Sequence, residues 1–177
     1  MACNLTAGRL EPCKDVTGGI KKVFFINYTA GLEDTATFDS DGQITAFASA
    51  LTLFEYITIG NTDSFTETGT TSRDNGTTFY DVSGTVNLRA QTIADRKELQ
   101  LMGAGRPQIV TLDYNGNYKI YGLQNGCDVA VVAESGAAMG DFFGYTLNIT
   151  AQEPELANFV DATIIDDTTN TSVTSGT

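Results

Sequence analysis

Three cysteines, Cys3, Cys13 and Cys127, and two pairs of neighbouring carboxylates, Asp39/Asp41 and Asp166/Asp167, are the residues that could do chemistry in this chain. Histidine is absent. That removes the histidine-based triad, the imidazole base and the commonest metal ligand. The cysteines are an odd set without metal-ligand spacing. A metal centre would need all three thiolates and a carboxylate, so reduced, partly buried thiols are expected. Asp39-Ser40-Asp41-Gly42 resembles a fragment of a calcium loop, but the remaining ligands and the closing Glu are missing. An exposed acidic turn is the expectation there. No Gly-x-Ser-x-Gly, phosphate-binding loop or dinucleotide fingerprint occurs. No catalytic, cofactor-binding or metal residue is assigned, and no cofactor. The expected role is to build or to bind, not to catalyse.

Charge narrows the partners. The 177 residues carry a formal net charge of −12. Phosphate contacts need Lys and Arg, so this balance argues against tight nucleic-acid binding and against an anionic membrane surface. It favours solubility and repels polyanions. Arg73, Arg89, Arg96 and Arg106 are scattered; each is either solvated or turned toward a neighbouring subunit, where Arg is enriched. No apolar run reaches the length of a membrane helix. Met1 to Thr6 lacks the pattern of a signal peptide, and a cytoplasmic site of assembly is expected. The sequons at Asn4, Asn27, Asn75, Asn148 and Asn170 then read as accidents of a Thr-rich composition.

The elements that would position these residues are mostly strands. Residues 1–19 read as an irregular N-terminal arm, 20–153 as a β domain and 154–177 as an acidic, Thr-rich tail with too few apolar groups to order itself. Ile20–Tyr28 reads as a strand, and 30–34 as a turn. Residues 36–38 and 43–47 read as a hairpin around the acidic turn. Leu51–Ile59 and Phe65–Thr71 follow as strands, although 63–76 as a whole is long and polar enough for a loop that contacts other subunits, as the arm would. The clearest strand is Phe79–Arg89. Tyr80, Val82, Gly84, Val86 and Leu88 form its apolar face; Phe79, Asp81, Ser83, Thr85 and Asn87 form its mostly wet face, which Arg89 ends. Residues 92–102 read as a helix with Ile93, Leu99 and Met102 on its buried side. Asn115-Gly116 and Asn125-Gly126 predict a three-stranded meander over 109–133. After a Gly/Ala-rich loop, Tyr145, Leu147 and Ile149 alternate with Thr146, Asn148 and Thr150 in a last core strand.

Several of these features together resemble phage tail tube proteins. They are the long strand 77–88, the helix near 92–102, the hairpin Asp113-Tyr114-Asn115-Gly116-Asn117-Tyr118, and the run Ser135-Gly136-Ala137-Ala138-Met139-Gly140-Asp141-Phe142-Phe143-Gly144-Tyr145-Thr146-Leu147. The last is similar to the Gly-Asp…Gly-Tyr-Thr-Leu lead into the final strand of several such sequences. The resemblance covers about three quarters of the chain. It implies a mainly β fold, an antiparallel β-sandwich or half-barrel with one flanking α-helix. It also implies self-association into rings, usually hexameric, that stack into a hollow tube within the virion tail. Other tail proteins would be partners, and genome DNA only a passing, non-specific cargo. Under that resemblance Asp81, Ser83, Thr85 and Asn87 would face an acidic lumen, from which DNA is repelled. The alternative of a different class is a head decoration protein or other virion adaptor, or a carbohydrate-binding β-sandwich.

Overall fold

Val23-Phe24-Phe25-Ile26 sets four apolar β-formers in a row, and a strand built that way must bury both of its faces. The computed structural model, which describes residues 7–11, 13–58, 62–166 and 171–175, shows both faces covered. The elements in chain order are β1 (Ile20–Ile26), α1 (Leu32–Thr35), β2 (Ala36–Phe38), β3 (Ile44–Phe47), β4 (Leu51–Ile57), β5 (Ser64–Ser72) and β6 (Thr77–Arg89). Then come α2 (Ile93–Ala104), β7 (Gln108–Asp113), β8 (Tyr118–Tyr121), β9 (Asp128–Glu134), β10 (Gly144–Glu153), β11 (Asn158–Val160), α3 (Ala162–Asp166) and β12 (Thr171–Ser175).

The strands form two sheets. The large one has eight strands in the order β12-β4-β1-β7-β8-β11-β3-β2; the small one has four in the order β5-β6-β10-β9. Val23, Phe25, Ile109 and Tyr121 of the large sheet pack against Val82, Val86, Tyr145, Leu147 and Ile149 of the small one, with Leu99 of α2 in the same cluster. The other face of the large sheet holds a second core. There Phe24, Ile26, Leu53, Val110 and Ile120 meet Leu32 of α1, Ile44 of β3, Val160 of β11 and Ile165 of α3. Helix α3 touches both β3 and β12, which lie near opposite ends of the strand order. The large sheet therefore curls around this second core.

Both tight hairpins of the large sheet use one device. Asp39 Oδ1 accepts the N–H groups of Asp41 and Gln43, and Asp113 Oδ1 those of Asn115 and Asn117. Gly42 and Gly116 take the left-handed conformation that follows, at φ 82° and 87°, which a residue with a Cβ adopts at a cost. Asp39 is thus committed to holding its turn. The arm is pinned to the second hairpin, where the Asn115 side chain exchanges two hydrogen bonds with the Thr17 backbone.

Five expectations change. The fold is mainly β, but two pairings, β12 with β4 and β11 with β3, are parallel. Three short helices are present among the described residues instead of one, since α1 occupies the expected turn and α3 the tail. The meander over 109–133 does not form. The β7–β8 hairpin does, but residues 122–127 then carry the chain to the small sheet, where β9 pairs with β10. Gly122 and Gly126, at φ 69° and 75°, make that crossing. A Cβ on Gly126 would lie 2.7 Å from the Arg106 carbonyl oxygen, so the Asn-Gly signal reflects a close approach and not a hairpin. Residues 64–72 are strand β5, in line with the strand read at Phe65–Thr71, so the subunit-contacting loop expected over 63–76 shrinks to a turn at 73–76. Finally, the expected unordered tail supplies β11, α3 and β12 to the large sheet, with Val160 and Ile165 buried.

Candidate functional site: the outer face of the small sheet

Strand β6 alternates inward and outward as its sequence dictates. Val82 and Val86 are buried in the core between the sheets, so Asp81, Ser83, Thr85 and Asn87 share the opposite face. Strand pairing extends that face sideways. Ser64, Thr85, Asn148 and Ala130 form one cross-strand row; Thr66, Ser83, Thr150 and Asp128 form the next. Thr68, Asp81 and Gln152 form a third, and Asn87, Thr146 and Val132 a fourth. The result is a wall of hydroxyls and amides whose one aromatic is Phe79, opposite Thr70.

Much of this wall is bonded to itself. Gln152 Nε2 donates to Asp81 Oδ1 at 2.8 Å, and Thr70 Oγ1 donates to Asp81 Oδ2 at 3.4 Å. Thr146 Oγ1 donates to Asn87 Oδ1 at 3.0 Å. Asn87 also donates its backbone N–H to Asp63 at 2.8 Å, which ties the segment before β5 to the wall. Charged groups on the face are Asp81, Asp128 and Glu134 against Arg89. Arg89 is exposed and makes no ion pair; the ion pairs among the described residues are Lys22–Glu55 and Lys119–Glu67. Arg73, Arg96 and Arg106 are exposed as well, and Arg106 lies over the Tyr28 ring.

Two edges without a strand partner flank the wall, and α2 packs against β9. Among the described residues β5 pairs only with β6 and β9 only with β10. Neither strand carries the Lys or Pro by which many edges are blunted. Among the described residues no group of three or more acidic, Cys or His side chains could hold a metal ion. Cys13 is exposed and Cys127 buried, and burial pushes the Cys127 thiol up to about 12. Cys3, Asp167 and the sequons at Asn4 and Asn170 lie outside the described residues.

The four residues singled out from sequence therefore stand together. Sequence reasoning missed their companions on β5, Thr66, Thr68 and Thr70. Glu67 sits at an inward position between them and hides the alternation; its carboxylate is held by Lys119 across the sheets at 3.2 Å. No protein-family model, no curated protein and no solved structure matches the chain.

Proposed function

We propose that this chain is the subunit of a hollow tube of the phage-tail type, in which the small sheets of successive subunits stand side by side and turn their polar faces to a common channel. One observation carries the reading: a four-stranded sheet with a core on one face, a mostly Ser/Thr/Asn/Gln/Asp wall on the other, and no strand paired to either long edge among the described residues. A sheet of that kind meets a second copy at its edges through backbone hydrogen bonds. The wall it contributes suits water and a moving polyanion, since it offers carboxylates and neutral hydroxyls where DNA retention would need cations. The protein in this reading is structural and not an enzyme, its partners are further copies of itself and other tail proteins, and its place is the virion. A carbohydrate-binding sandwich would present aromatic platforms, and this face presents Phe79 alone.

Negative-stain microscopy of the purified chain tests the assembly directly: hollow tubes or stacked rings are expected, and dispersed monomers at high concentration would overturn it. The channel assignment is tested by Asp81→Lys. Assembled Asp81→Lys tubes are expected to retain DNA at low ionic strength and release it as salt rises. If they bind no more DNA than the parent, this face does not line the channel.

A further inference from the structure

Two carboxylates point from the small sheet into the space between the sheets, and they meet different company. Glu67 of β5 has Lys119 at 3.2 Å and the Ala157 N–H. Glu153, at the end of β10, is only 8% exposed and makes no ion pair among the described residues. It accepts the N–H groups of Asn125 at 2.9 Å and Gln124 at 3.3 Å, both in the crossing between the sheets. Beside it stands Glu33 of α1, whose Oε2 is sealed from solvent and reached by no hydrogen-bond donor among the described residues. Burial, reinforced by the Glu33 charge, holds the Glu153 carboxyl above the usual carboxylate range.

Both acids line a cavity of about 210 Å³, with Phe38, Tyr121, Leu123 and Leu156 as apolar wall and Glu155 beside them. A buried carboxylate oxygen with no donor is costly, and the charge it leaves on Glu33 calls for a partner where the rest of that residue lines the cavity. The chemistry of the walls selects that partner. The acids here do not come together as a group of three that could hold a metal ion, and no such group is found among the described residues. A guanidinium or ammonium needs only carboxylates placed to accept its N–H groups, and its carbon stem suits the apolar wall.

We propose that this cavity is a binding site for an organic cation, a guanidinium or primary ammonium on a short apolar stem, whose N–H groups bridge Glu33 and Glu153. The cation comes either from a small free amine or from a basic side chain of a second copy. The site is independent of the tube reading, because it is complete within one chain.

The test is a titration of the isotopically labelled full chain, as dispersed monomer at neutral pH and constant ionic strength, with methylguanidinium and with propylammonium. Saturable shifts are expected at the amides of Gln124 and Asn125. Glu33→Gln is expected to weaken binding at least tenfold while the chain stays folded, and Glu67→Gln to leave it unchanged. Equal shifts with sodium or with uncharged urea would overturn the site, as would unaltered affinity in Glu33→Gln. Repeating the titration on any oligomer the chain forms separates the sources. Continued binding there identifies a free amine; exclusion of the probe, with Glu33→Gln weakening the oligomer, identifies a neighbour's side chain.

Discussion

The two sheets solve different problems with similar strands. The large sheet is covered on both faces, so β1 reads Val-Phe-Phe-Ile and β7 is buried from Gln108 to Leu112. Even Gln108, with no exposure, is accommodated because its amide donates to Leu123 and Thr29 and accepts from Thr29. The small sheet is covered on one face only, and β10 alternates buried and exposed along most of its length. What differs is which positions of a strand bear stability. In the central strands β1 and β7 of the large sheet successive positions do; in the small sheet alternate positions are released for other use.

Neighbouring substitutions break that comparison if it is wrong. Phe24 and Phe25 point into different cores. Phe24→Ala and Phe25→Ala are each expected to cost about 3–5 kcal/mol, as measured by denaturant unfolding. A small loss at either one would mean that the large sheet has a free face. In β10 the expected result is unequal. Leu147→Ala should cost about 2–5 kcal/mol, while Thr146→Ala, on the wall, should cost about 1 kcal/mol or less for its bond to Asn87. Equal losses at both would contradict the register of Leu147 with Val86.

The smallest effect concerns pH, and its sign differs between the sheets. Glu55 of β4 is held low by its hydrogen bonds from Lys22 and Ser175. Its contribution is present above the unfolded carboxylate range and is lost as pH falls through the lowered folded value. Glu153 is held high, so it weakens the fold above its raised value, and that penalty disappears as pH falls through it. Glu153→Gln is therefore expected to stabilise the chain near neutrality, with the gain shrinking toward acid. Glu55→Gln is expected to destabilise near neutrality, with the loss shrinking toward acid. Unfolding curves across pH that shift in the same direction for both variants would remove the contrast.

The strands and their faces were legible where alternation or a solid apolar run marks them, as in β1, β6 and β10. Both Asp-x-x-Gly hairpins were legible too, because the turn chemistry is local. Three features were not, for physical reasons. Ile93 and Leu99 look like members of one helical face, but six positions turn a helix through about 240°, and Ile93 is 96% exposed while Leu99 is buried. The switch of β9 to the small sheet is a tertiary choice that the Asn125-Gly126 dipeptide does not encode. The tail looked too polar to fold, yet Val160 and Ile165 suffice because the curled sheet provides a core for them. On the wall, β6 was visible alone; its neighbours depend on pairing, which sequence periodicity does not specify. The Glu33–Glu153 pair joins residues from α1 and β10, and no spacing announces it.

The parallel pairing of β12 on β4 has a consequence for the order in which the fold is completed. Ser175 reaches back to Glu55 across a separation of 120 residues. Closing a span of that size costs chain entropy before any contact repays it, which places this step among the slow ones. During synthesis the outer edge of β4 stays uncovered until β12 has been made. A chain cut before Thr171 would expose that edge to adventitious strand pairing, which the pairing of Thr171–Ser175 with β4 prevents.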